Sequence, residues 1–220
     1  GMMYNSMVSP KLLSGDKGRL TADMVASAIN PEDIHLPVTR LVSLENTMNK
    51  GGGAIYDLNE IRKIRDVCDR HDLKLHLDGA RLFNALVETG ESPSEHGELF
   101  DTISICFSKG LGAPVGSVLL GSEDFIRKAK RVRKVFGGGM RQAGLLAAAC
   151  VYALDHHVER LKEDHLRARK IGYLVKEMSF VEMVYPVSTN IVIVKLAENL
   201  SEQKVLEKLR EKGVLAVGFG

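Results

Sequence analysis

An α/β fold, with a mainly parallel sheet flanked by helices, is predicted for this chain by three observations. Short apolar, β-branched runs recur and stop at polar or glycine-rich segments. Helical stripes separate most of those runs. The 220 residues are 45% hydrophobic and 26% charged, which supplies a core and argues against disorder.

The first 20 residues read as irregular, punctuated by Pro10, Gly15 and Gly18. Thr21 can cap a helix running to about Asn30-Pro31. Val38 to Leu44 reads as a strand, and residues 45–53 as loop, ending in three glycines. Apolar residues at 58, 61, 64, 67 and 68 form a helical stripe. Leu73, Leu75 and Leu77 alternate as a strand that stops at Asp78-Gly79. Arg81 to Glu88 reads as helix, Thr102 to Phe107 as a second buried strand, and Val115 to Leu120 as a third.

Beyond Ser122, helices are expected over roughly 123–135, 140–156 and 158–178. Two short strands around Tyr185-Pro186, a helix over 201–211 and a strand over 214–217 follow. This gives a large domain over 1–160 and a small α+β domain over 161–220.

Thirty basic and 28 acidic residues leave a formal charge of +2, which gives no global reason for a nucleic-acid partner. No apolar run reaches the roughly 18–20 residues a membrane helix needs. The N-terminus lacks a signal pattern, and Gly1 before Met2 reads as a tag remnant. Cys68, Cys106 and Cys150 are dispersed and odd in number, as expected of a reduced cytoplasmic protein. No histidine pair has a ligand spacing with a third donor, so no catalytic metal is expected.

In open α/β sheets, functional groups collect past the carboxyl ends of strands. Asp78 and Lys109 stand there, after Leu75-His76-Leu77 and Ile105-Cys106-Phe107-Ser108. A lysine amine can form a Schiff base with a carbonyl. In pyridoxal phosphate sites that lysine carries the cofactor aldehyde, while an aspartate holds the pyridine nitrogen protonated. Either residue alone is ordinary: strand-end lysines are usually solvated, and strand-end aspartates usually cap turns. Their joint placement, with Arg81 just beyond Asp78, raises the reading.

Three segments carry a resemblance. They are Asp78-Gly79-Ala80-Arg81-Leu82-Phe83-Asn84-Ala85, Ser108-Lys109-Gly110-Leu111-Gly112-Ala113-Pro114-Val115-Gly116-Ser117 and Gly137-Gly138-Gly139-Met140-Arg141-Gln142-Ala143-Gly144. In this order, over about residues 12–216, the chain resembles the pyridoxal-phosphate-dependent threonine aldolases. These lie in the β-eliminating-lyase group, with the aspartate-aminotransferase-like fold (fold type I). The resemblance implies retro-aldol cleavage of threonine or allo-threonine to glycine and acetaldehyde. It implies that Lys109 binds the cofactor aldehyde, that Asp78 pairs with the pyridine nitrogen, and that Arg81 contacts the ring oxygen and the substrate carboxylate. His35 matches the histidine that approaches the substrate hydroxyl. Lys134 and Arg141 match basic residues near a site shared between subunits, Lys134 toward substrate and Arg141 toward cofactor. A homodimer or homotetramer acting on a small amino acid is implied.

The resemblance further implies segments on both sides of this chain. A phosphate loop and a ring-stacking histidine would precede it, and a carboxylate-binding arginine would follow Gly220. Met48 stands where the family often has histidine, and Leu36 where it often has phenylalanine. Two other readings stay open: β-elimination from another amino acid, and a catalytically silent truncated homologue acting as a subunit.

Other polar features have plainer readings. His76 reads as a strand residue bonding to its neighbours, and His156, His157 and His165 as surface. Seven basic residues between Arg127 and Arg141 read as a solvated helix face ending at an anionic cofactor, rather than a nucleic-acid patch. The glycines at 137–139 lack the Lys-Ser/Thr continuation of a nucleotide loop.

Overall fold

The computed structural model describes residues 1–218. Four strands form one sheet in the order β1 (Leu41–Glu45), β2 (Lys74–Gly79), β3 (Thr102–Cys106), β4 (Ser117–Gly121). β1 pairs parallel with β2, and β2 with β3. Each parallel step needs a crossover, and helices supply it. A short helix, α1 (Met2–Ser6), stands where an irregular start was expected, and α2 (Ala22–Ala28) follows as predicted. α3 (Leu58–Arg70) connects β1 to β2, and buries the predicted stripe of Leu58, Ile61, Ile64, Val67 and Cys68.

Between β2 and β3 lie α4 (Leu82–Thr89) and a helix the sequence reading passed over, α5 (Pro93–Leu99). α5 starts with a capping box: the Ser92 side chain accepts backbone N–H bonds while Glu95 accepts from the Ser92 N–H at 3.1 Å. β4 runs antiparallel to β3, pairing Ile105 with Val118 and Cys106 with Ser117. A parallel return needs a dozen or more residues, and too few separate these two strands.

Alternation sets the two faces of the sheet. Leu44, Leu75, Leu77, Ile103 and Ile105 point into a core shared with α3, Phe100 and Phe107. The opposite face carries Ser43, Glu45, His76, Asp78, Thr102, Ser104 and Cys106. His76 bonds across strands to Thr102, with Nδ1 2.8 Å from Oγ1. Burial pushes its imidazole below the ordinary value, against an upward pull from Asp78 and the Thr102 bond.

Downstream come α6 (Glu123–Val135), α7 (Gly144–His156) and α8 (Leu161–Lys176). α7 and α8 each start a few residues later than the sequence implied. β5 (Val181–Val184) and β6 (Val194–Leu196) form a separate antiparallel pair, and α9 (Glu202–Glu211) follows. The expected strand over 214–217 is absent: residues 214–218 have no regular structure and no partner strand among the described residues. Apolar, β-branched sequence becomes strand only where something pairs with it. Leu215 and Val217 are over 80% exposed here.

Asp101 ties β2 to β3 at the rim opposite Asp78. Its Oδ2 accepts the Leu75 N–H at 2.8 Å and pairs with Arg65 at 2.8 Å, and its Oδ1 lies 3.2 Å from Lys74 Nζ. Burial alone would raise this carboxyl, but the N–H, Arg65 and Lys74 together hold it below the usual range. The unfolded chain therefore takes up this proton first as pH falls. The stability that Asp101 adds is complete above about pH 4 and is lost as pH drops through its folded value. Asp101→Asn is expected to lower stability at pH 7 by about 1–3 kcal/mol, read as a urea midpoint. The variant should also lose less on acidification than the parent does.

Candidate active site

The carboxyl ends of β1, β2 and β3 share one rim. In register, Glu45, Asp78 and Ser104 form a row on the open polar face, continued by Leu119 of β4. Asp78 is exposed because Leu77 and Gly79 on either side take the buried face. Its Oδ1 accepts the Ala80 N–H at 3.0 Å, an Asx turn that steers the chain from β2 toward α4. Its backbone carbonyl accepts from Asn46 N at 3.0 Å, extending the β1–β2 pairing past Glu45.

Glu45 is occupied locally, because its Oε1 accepts from Asn49 N at 3.1 Å. Neither Glu45 nor Ser104 was singled out from sequence. The carboxyl-end rule that found Asp78 applies equally to Glu45, and strand alternation would have found Ser104.

Lys109 lies three residues past β3, exposed and without an ion-pair partner among the described residues. Its loop is tightly held. Phe107 N bonds to Gly116 O at 3.0 Å, Ala113 N to Phe107 O at 3.0 Å, and Gly112 N to Lys109 O at 2.9 Å. Leu111 and Ala113 are buried. His157 donates from Nδ1 to the Leu111 carbonyl at 2.6 Å, so it is a loop anchor rather than the surface residue expected. His165 departs further from that expectation: it is fully buried.

Arg81 is half-buried at the start of α4. With Phe83, Asn84, Cys106 and Gly110 it lines a cavity of about 10 Å³, room for one water. The Gly79–Arg81 and Gly110–Leu111 segments, which follow Asp78 and Lys109 and are distant in sequence, thus meet on one wall.

The structure does not bring the remaining predicted residues to that wall. His35 is exposed in the loop before β1, where its backbone N–H bonds to Asp33 Oδ1 at 2.8 Å. Lys134, in the last turn of α6, lies alongside Gly139, and Arg141 is exposed in the turn before α7. Neither has an ion-pair partner among the described residues, and no hydrogen bond there links either one, or His35, to Asp78 or Lys109. The rest of the α6 basic run is likewise exposed, with Arg127 paired to Asp124 at 2.5 Å.

A free amine in the loop after β3 and a carboxylate near the end of the neighbouring parallel strand β2, with Arg81 at the start of α4, suit an anionic aromatic aldehyde bearing a basic ring nitrogen. Residues 1–199 match the beta-eliminating lyase family. The chain belongs to that family. It is 45% identical over 177 residues to a low-specificity L-threonine aldolase of Candida albicans, covering 80% of this chain and 46% of that one. It is 44% identical over 181 residues to the low specificity L-threonine aldolase of Escherichia coli (strain K12), covering 82% and 53%. This member thus spans about half the length of the curated relatives it matches.

Solved structures repeat the fold. A candidate L-allo-threonine aldolase from Listeria monocytogenes superposes with a TM-score of 0.82 at 27% identity, covering all of this chain and 60% of that one. A Leishmania major threonine aldolase gives 0.74 at 24% identity, covering 90% and 58%.

The His157 anchor predicts a local effect. His157→Phe keeps a ring but removes the bond to Leu111 O. It should lower stability by about 1 kcal/mol, measured as a urea midpoint, with amide exchange rising first over 109–113.

Proposed function

We propose that this chain is part of a pyridoxal-phosphate-dependent aldehyde-lyase that cleaves threonine or allo-threonine to glycine and acetaldehyde. The observation that carries the reading is the shared rim of Asp78 and Lys109, with Arg81 on the adjoining wall. Threonine aldolases among the relatives support it at 44–45% identity.

The residues present fit the cofactor. Lys109 has an amine free to take its aldehyde, and Asp78 a carboxylate open to its ring nitrogen. When bound, the cofactor supplies an electron sink for the carbon left after bond cleavage. Asp78 holds a proton on the ring nitrogen, keeping that sink positive. Arg81 offers a fixed fork of donors to the ring oxygen and the substrate carboxylate. His35 is the base for the substrate hydroxyl, a proton transfer that an imidazole can carry out. Reaching the substrate requires its loop to fold toward the rim. Lys134 and Arg141 face substrate and cofactor respectively in an assembled oligomer.

A homodimer or homotetramer is part of the proposal. Supporting it, α7 is apolar on every side, yet Leu145, Val151 and Tyr152 are more than half exposed. A large domain over 1–160 and a small one over 161–220 are supported by the separate β5–β6 sheet. The proposed compartment is the cytoplasm, consistent with three free cysteines. No helix among the described residues is long and apolar enough to cross a membrane.

Product analysis tests the reaction. Threonine incubated with the cofactor-loaded chain should yield glycine and acetaldehyde in equal amounts. Pyruvate and ammonia would instead show elimination, and a folded chain with no cofactor uptake and no glycine release, even alongside a full-length partner, would favour a silent homologue. Asp78→Asn should retain cofactor on Lys109 but lose on the order of 10²–10³-fold in kcat. Unchanged kcat would remove Asp78 from the ring nitrogen.

A further inference from the structure

Behind the Lys109 loop lies a polar chain, buried at Asn84 and His165 and reaching solvent at Glu88 and Arg169, that the proposed chemistry leaves unused. His165 of α8 is fully buried. Its Nδ1 stands 2.9 Å from Glu88 Oε2, and its Nε2 stands 3.1 Å from Asn84 Nδ2. A carboxylate only accepts and an amide nitrogen only donates, so the tautomer with its proton on Nδ1 satisfies both partners. Arg169, one turn further along α8, pairs with Glu88 and also donates to Ser188 O at 3.3 Å. At its buried end, His165 and Asn84, the chain is held in one arrangement, because only one tautomer pairs both ring nitrogens.

The chain reaches the residue that follows the lysine. Asn84 lies against Gly110, next to Lys109: a β-carbon placed on Gly110 would sit 3.7 Å from Asn84 Oδ1 and 3.9 Å from Nδ2. The same β-carbon would strike Leu161 Cδ2 at 2.8 Å. Leu161 and His165 are four residues apart, on one face of α8. One face of α8 thus meets the lysine loop twice, directly through Leu161 and through His165 by way of Asn84. Glycine at 110 permits that approach.

We propose that Leu161, His165 and Asn84 are positioning residues that seat the Gly110 backbone and thereby aim the Lys109 amine. The proposal deepens the reading of Lys109 as the cofactor lysine and rests on it. α8 is then part of the machinery that holds that lysine, although it contributes nothing to the rim itself.

Two measurements on the full chain test this. One is the affinity for pyridoxal phosphate, read from visible absorbance. The other is amide hydrogen exchange over 108–113 without cofactor. Gly110→Ala is expected to weaken cofactor binding about tenfold and to speed exchange in that loop. Adding Leu161→Ala, which removes the struck methyl, should restore the affinity to within about twofold. His165→Leu and Asn84→Leu should each weaken binding, and the double variant no more than the worse single one.

Parental affinity and loop exchange in both Gly110→Ala and His165→Leu would overturn the proposal. Additive losses, or faster exchange confined to α4 and α8, would do so too. If the parent chain takes up no cofactor, affinity gives no reading of the seating and exchange alone decides. Loop protection lost in His165→Leu would then uphold the seating, and an unchanged loop would refute it.

Discussion

The parallel pairing of β2 with β3 is the constraint on which the rest depends. Parallel strands carry their carboxyl ends to the same rim, so Asp78 and the approach to Lys109 are brought together by the ladder and not by the loops. The ladder is secured on one face by Leu75, Leu77, Ile103 and Ile105, none more than 9% exposed. At its other end Asp101 joins Arg65, Lys74 and the Leu75 N–H. A slip of one residue would turn Asp78 into the core and expose Leu77, so the burial of the leucines is also what presents the carboxylate.

Much of this was legible in the sequence, for definite reasons. Leucine alternation before Asp78 and the apolar stripe of α3 are period-2 and period-3.6 signals that packing reinforced. The motif around Lys109 located a residue the structure places on a held, exposed loop. What was misread depends on tertiary partners. Val214 to Val217 has strand composition, but no strand among the described residues pairs with it. α5 went unseen although Ser92-Pro93-Ser94-Glu95 spells its cap. Val115 to Leu120 was a strand as expected, but its direction follows from the short loop before it.

The histidines show where local pattern stops informing. His165 sits among charged neighbours in sequence, yet α8 turns it inward onto Glu88 and Asn84, far away along the chain. His157 reads the same way and instead anchors Leu111. Their roles follow from how α7 and α8 lie on the lysine loop, which no spacing within either helix encodes. His35, Lys134 and Arg141 are the converse: the family motif singles them out, while this chain alone keeps them exposed and apart from Asp78 and Lys109. Their proposed roles need a moved loop or a second subunit.

The central claim is that this rim holds an aldehyde cofactor on one particular amine. Borohydride reduction of the chain loaded with pyridoxal phosphate, followed by peptide mass mapping, tests it most directly. The account predicts a single reduced cofactor on Lys109, and none in Lys109→Ala. A label spread over the exposed lysines of α6, or persisting undiminished in Lys109→Ala, would contradict it.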